Sequence, residues 1–245
     1  MAADWTILPV LAVVFLATLI RSAFGFGEAL VAVPLLAFLM PVEEAAPLAT
    51  LFSITVAAVI LAFDWRKIHF RSAGWLVIST LFGIPVGLYL LTALPETTVK
   101  LILAFVIIGF SSYCLANRSP YQLRDDRWAW IFGFGAGVLG GAYGMNGPPL
   151  VIYGSLRHWS PEQFRATLQG YFLPASLLGM SGYWLTGLWT PTVTRNYLWA
   201  LPLALLAIFL GGAINRRLTG RAFLRYIHVG LLLIGALLLF QALRV

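Results

Sequence analysis

Apolar runs of helical length, joined by short polar connections, fill nearly the whole of this 245-residue chain. They fall at 5–40, 45–63, 73–93, 99–116, 128–153, 164–185, 197–214 and 222–243. About 20 apolar residues cross a hydrocarbon core as a helix. Six of the runs therefore read as single spans. The runs at 5–40 and 128–153 are different, because glycine and proline interrupt them. The second carries GGAYGMNGPPLVIY (140–153), with Gly140, Gly141, Gly144, Gly147, Pro148 and Pro149. The first carries SAFGFGEALVAVP (22–34). Ala23-Phe24-Gly25 matches Ala142-Tyr143-Gly144 at an offset of 119 residues. Broken backbone at membrane depth is tolerated only where protein buries it or where it lines a cavity. Paired breaks in corresponding halves point to a transport site.

The longest polar connection, NRSPYQLRDDR (117–127), divides the chain near its midpoint. The offset then places one broken segment at the head of each half, followed by three ordinary helices. We read residues 1–117 and 128–245 as two repeats joined by a linker at 118–127. Basic residues set their relative orientation. Suppose each broken segment is a hairpin that enters and leaves on one side. Then Arg66, Lys67, Arg71, Arg118, Arg124, Arg127, Arg157, Arg165, Arg216, Arg217, Arg221 and Arg225 share a side. Only Lys100, Arg195 and Arg244 face the other, and Arg21 lies within the first hairpin. A simple span at each break divides the charges almost evenly. The positive-inside rule favours the hairpins. Each repeat then crosses an odd number of times, so the two are inverted. The expectation is an all-α polytopic membrane protein, with two re-entrant hairpins whose tips meet near the midplane.

Composition supports the class. Hydrophobic residues make up 60% and charged residues 10% of the chain, with mean hydropathy +0.89. Soluble domains hold about 25% charged residues. Runs this long exclude a β-barrel, whose strands are short and alternate. The net charge of +7 is spread over short loops, which argues against nucleic acid as a partner. The start, MAADWTILPV, lacks the basic region of a cleavable signal, so the first helix is expected to stay. The partners expected are the bilayer and a small anion, with protons as a further candidate. Monomer and homodimer both remain open.

Arg21 and Glu28 are the ionisable residues well inside an apolar run, and they flank the Phe24–Gly27 break. A charge at the helix centre is expensive and marks a functional candidate. Arg21 offers a fixed charge and bidentate geometry to an anion. Glu28 is a proton-coupling candidate. The alternative is that the two pair across the break and only hold its shape. Around Gly144, Asn146, Gly147 and Pro148, a restarting helix would aim free N–H groups and its positive dipole end at the midplane. Pro148 and Pro149 suit a first turn, and Asn146 suits a cap or a donor to substrate. The alternative there is a glycine packing cluster. Gln169 lies in an apolar helix, and its repeat mate is Thr50; both are candidate substrate contacts. Phe24, Gly25, Gly27 and Tyr143 complete the candidate set.

No metal set, cofactor motif or catalytic group emerges. His158 and Glu162 are four apart with Pro161 between them. His69 and His228 fall in or beside basic loops. Cys114 has no polar neighbour in its run. Ser53, Thr55, Ser176 and Ser181 read as packing hydroxyls. An intramembrane enzyme would need a nucleophile–base pair, and none is visible. A passive anion channel and a scaffold subunit remain as rival classes.

The stretches GFGEALVAVPLLAFL (25–39), GGAYGMNGPPLVIYGSL (140–156) and FRATLQGYFL (164–173) resemble the TauE/SafE-type sulfite exporters, also called the toluene sulfonate uptake permease family. The resemblance runs over essentially the full length. It implies a multi-pass protein of the bacterial inner membrane that moves sulfite, sulfonates or related organosulfur anions, without a cofactor. The family's glycine motifs fall on Gly25, Gly27, Gly144 and Gly147, and its following proline on Pro148. Many members have a denser glycine run in the second half. Here Ala142, Tyr143, Met145 and Asn146 interrupt it. Phe24 and Tyr143 would shape a site for something larger than sulfite.

Overall fold

A computed structural model of the chain describes residues 7–64, 70–116, 123, 125–217 and 221–243. Every regular element among the described residues is helical. The first half holds α1 (Ile7–Phe24), α2 (Glu28–Leu36), α3 (Val42–Asp64), α4 (Phe70–Ala93) and α5 (Glu96–Ala116). The second holds α6 (Ala129–Tyr143), α7 (Gly147–Leu156), α8 (Pro161–Leu185), α9 (Pro191–Arg217) and α10 (Arg221–Leu243). Among the described residues, five stretches are long and apolar enough to cross a membrane: Ile7–Phe24, Val42–Ala62, Ala73–Ala93, Glu96–Ala116 and Pro191–Asn215.

The outer surface is apolar, as a lipid-facing surface must be. Phe82, Tyr89, Phe105, Trp184 and Phe209 are all more than half exposed. The buried core is different in kind. It carries small residues and hydroxyls as well as Leu36, Phe52, Leu103 and Tyr153.

Both breaks fall where the glycines are. α1 closes with the Gly25 N–H donating to the Arg21 carbonyl at 2.6 Å, and Gly25 and Gly27 take φ of 87° and 100°. α6 closes with the Gly144 N–H donating to Gly140 at 2.8 Å, and Gly144 takes φ of 63°. Glycine enters this left-handed region without the Cβ penalty other residues meet. Each helix then restarts within three residues. α2 and α7 have 9 and 10 residues, about 14–15 Å, or half the hydrocarbon thickness.

The 119-residue offset reappears in the element ends. Phe24 and Tyr143 end α1 and α6, Glu28 and Gly147 start α2 and α7, and Val42 and Pro161 start α3 and α8. The packing follows the same exchange. α1 packs on α9 and α6 on α4, while α3 packs on α8 and α5 on α10.

Glycine permits the closest of these contacts. A Cβ on Gly137 would lie 2.5 Å from the Thr80 carbonyl and 2.9 Å from the Gly83 Cα. Gly87 and Gly141 oppose each other a turn further along the same pair. Such small-residue seams let backbones approach and gain dispersion contacts where lipid supplies no hydrophobic drive. Gly211 makes the corresponding approach of α9 to Ser22 and Leu19 on α1.

Just before α6, the Leu123 N–H donates to the Leu156 carbonyl at 2.9 Å. Arg157 Nη1 donates to the Leu123 carbonyl at 3.2 Å. The approach to α6 and the end of α7 therefore lie side by side. Of the basic residues weighed above, Arg66, Lys67, Arg118, Arg124 and Arg244 lie outside the described residues. So do the side chains of Arg71, Arg165, Arg216, Arg217, Arg221 and Arg225, and that of Glu162.

Candidate functional site

The two breaks meet over one cavity. Its wall includes Arg21, Gly27, Glu28 and Ser53 from the first half, and Gly144, Asn146, Gly147 and Phe172 from the second. Phe26, Ala29, Leu30, Met145 and Pro148 complete it. The space open to solvent is about 20 Å³, room for roughly one water. An oxyanion with a carbon substituent needs the walls to move.

Arg21 is the centre of the polar wall. It sits on the last turn of α1 and is 3% exposed. Nη1 donates to Glu28 Oε2 at 2.6 Å and to Ser53 Oγ at 2.7 Å. Nη2 donates to Gln169 Oε1 at 3.1 Å. The guanidinium also lies over the Phe172 ring, 4.7 Å from its centroid, a stacking contact that favours arginine. Nε has no hydrogen-bond partner among the described residues. The Nε–Nη2 edge, the side-on fork that fits an oxyanion, therefore keeps an unused donor.

Glu28 is held more lightly. Besides Arg21, Oε1 accepts from Thr18 Oγ1 at a long 3.4 Å. Arg21 instead has partners on α2, α3 and α8. Behind it, Ser53 Oγ pairs with Ser176 Oγ at 2.9 Å.

Backbone donors face the same space. α2 restarts at Glu28 with no side-chain cap, which leaves its first-turn N–H groups without intrahelical partners. At the second break Pro148 and Pro149 fill the first turn of α7, as expected, and add no N–H donors. The cap needs correction. The Asn146 side chain does not cap α7; its Nδ2 donates to Tyr171 Oη at 3.4 Å. The N–H groups of Asn146 and Gly147 remain, with no acceptor among the described residues. Two helix N-termini thus converge on the cavity, each worth about half a positive charge at its end.

Of the residues singled out in the sequence, Arg21, Gly27, Glu28, Gly144, Asn146, Gly147 and Pro148 line this cavity. Gln169 and Gly25 stand one layer behind. Gln169 is fully buried and its Nε2 donates to the Gly25 carbonyl at 2.7 Å. Thr50 bonds the Ala46 carbonyl of its own helix at 2.9 Å. It lies under the second break: a Cβ on Gly144 would be 2.5 Å from its Oγ1. Gln169 and Thr50 thus each lie against the break of the other half. Tyr143 turns away, its hydroxyl donating to the Val99 carbonyl on α5 at 2.9 Å. Phe24 also lies off the cavity wall, packed against the core.

Phe26, Phe172, Ser53 and Ser176 were not singled out as site residues. Ser53 had a usable signal, lying one helical turn beyond Thr50 on the same face. The aromatic rings had none in a chain this rich in phenylalanine.

Fold and site together define a polytopic helical membrane protein with a cavity where two broken helices meet. Residues 10–239 match the sulfite exporter TauE/SafE family, and the chain belongs to that family of membrane transport proteins. A relative in Cupriavidus necator, named a probable sulfite/organosulfonate exporter TauE, is 27% identical over 151 residues. That match spans 60% of this chain and 59% of the relative. No solved structure matches.

Proposed function

We propose that this protein is a secondary transporter that moves a small organosulfur anion across the bacterial inner membrane. Sulfite, a sulfonate and a sulfoacetate-like anion all fit the chemistry. The observation that carries the reading is the buried Arg21, whose Nε donor is unused beside a cavity faced by two helix N-termini. The anion's oxygens take the guanidinium edge and the free N–H groups. Phe26 and Phe172 give an organic substituent an apolar wall.

Transport runs by alternating access. Residues 1–117 and 128–245 act as inverted repeats, with α1–α2 and α6–α7 as hairpins entering from opposite faces. Three observations support this. The element ends coincide at the 119-residue offset. The helix pairing exchanges between halves. Leu123 and Leu156 join the two ends of the second hairpin. Rocking one repeat against the other opens the cavity to each side in turn. Glu28 carries the coupled proton.

Purified protein in proteoliposomes tests the reading. Sulfite and benzenesulfonate flux at clamped potential should saturate and show counterflow exchange. Unsaturated conductance would make the protein a channel, and no flux of either anion would remove the substrate class.

A further inference from the structure

The Arg21–Glu28 contact is unequal. Arg21 is anchored by Ser53 at 2.7 Å, by Gln169 at 3.1 Å and by the Phe172 ring. None of these depends on Glu28. Gln169 is itself tied to the Gly25 carbonyl. Glu28 begins α2, beyond Gly25 and Gly27, whose positive φ values mark the joint between α1 and α2. Its other hydrogen bond is the 3.4 Å contact from Thr18. The cation has three anchors besides Glu28, and the carboxylate has one besides Arg21.

Glu28 lines the same cavity and already holds the guanidinium there. We propose that Glu28 is a tethered stand-in for the transported anion. The incoming oxyanion displaces it from Arg21, and the freed carboxylate leaves the contact as the neutral acid. One proton enters from the aqueous phase with each monoanion and returns to water when the anion departs on the far side. Charge is conserved at the site, and transport of a monoanion is electroneutral. This rests on the organosulfur-anion reading above and gives the proton coupling at Glu28 its mechanism: displacement of the carboxylate from Arg21 by the anion.

Little else among the described residues can take that proton. Arg21 is the charged group on α1 at this contact. The nearby groups on α3 and just before α7, Ser53 and Asn146, are uncharged. Glu43 and Glu44 lie in the first turn of α3, away from Ser53. On α5, Lys100 and Glu96 pair with each other at 2.9 Å. On α10, His228 faces Phe110, with ring centroids 5.7 Å apart.

The test is benzenesulfonate binding to the purified full-length protein by calorimetry, across pH and in two buffers of different ionisation enthalpy. Wild type should take up about one proton per anion where Glu28 is ionised, and affinity should fall about tenfold per pH unit there. Glu28→Gln should bind with a pH-independent affinity near the wild-type low-pH value and take up no proton. Benzenesulfonate binding to wild type without proton uptake would overturn the exchange and leave the transport reading standing. A Glu28→Gln protein that keeps the wild-type proton uptake would overturn it too. Absence of binding at every pH, for sulfite as for benzenesulfonate, would remove the substrate reading and this one with it. The wild-type measurement decides the matter even where the variant fails to fold.

Discussion

Gln169 Nε2 donates to the Gly25 carbonyl at 2.7 Å, joining residues 144 positions apart. This bond ties α8 of the second half to the break in the first. Its other end accepts from Arg21, so one amide orients both the broken backbone and the buried cation. Replacing Gln169 with leucine leaves a buried carbonyl and a guanidinium N–H without partners. Each costs about 1–3 kcal/mol. Thermal unfolding in detergent should show the loss, and anion affinity should fall with it. An unchanged melting temperature would mean that water or another group takes over both contacts.

The ion pair separates stability from function. Arg21→Met strips the buried Glu28 of its partner, so the carboxyl must take up a proton or stay charged in the interior, at a cost of up to about 3–5 kcal/mol. Replacing both residues, as Arg21→Met with Glu28→Leu, removes the unpaired carboxyl. The double variant should regain most of the lost thermal stability, because an apolar pair of similar volume is often as stable as a buried salt bridge. It should not regain anion flux. Flux in the double variant would remove Arg21 from substrate recognition. Arg21→Lys keeps the charge but loses the fork and the ring contact, and its anion affinity should fall at least about tenfold, or about 1.4 kcal/mol.

Gly144 has two reasons to be glycine. Its φ is 63°, and a Cβ there would be 2.5 Å from Thr50 Oγ1 and 2.9 Å from the Ala46 carbonyl. Gly144→Ala should lower stability by about 1–2 kcal/mol from backbone conformation alone, with the clash added. Thr50→Ala in the same protein should recover only part of this, since the Ala46 carbonyl stays in place. Yield of monodisperse protein and melting temperature report both effects. Full rescue by Thr50→Ala would show the side-chain clash to be the whole cost.

The orientation of the two halves is open to cysteine labelling. In a Cys114→Ser background, Glu43→Cys and Arg157→Cys should react with an impermeant thiol reagent from opposite sides of the membrane. The inverted arrangement puts the start of α3 outside and the end of α7 inside. Labelling of both from one side would sink it.

Much of the architecture was legible without coordinates. Glycine at Gly25, Gly27 and Gly144 marks the breaks, because only a residue without Cβ adopts those φ values cheaply. Pro161 opens α8, as its missing N–H allows. Arg21 and Glu28 stand out because charge in an apolar run is costly. The errors have one origin. Asn146 had the chemistry of a cap, but Tyr171 lies within reach and takes its amide. Tyr143 had the position of a cavity wall, but Val99 on α5 offers a carbonyl, and its hydroxyl goes there. A buried polar group turns toward the acceptor the packing supplies, and spacing along the chain does not reveal that acceptor.

The sequence by itself determined the membrane class, the helices and the two places where they break. These depend on apolar length and on the backbone limits of glycine and proline, which are local properties. Tertiary structure decided what the breaks are for. Arg21 meets Glu28 from 7 residues away, Ser53 from 32 and Gln169 from 148. Only helix packing brings those groups to one guanidinium. Packing also leaves its buried Nε donor without a hydrogen-bond partner among the described residues.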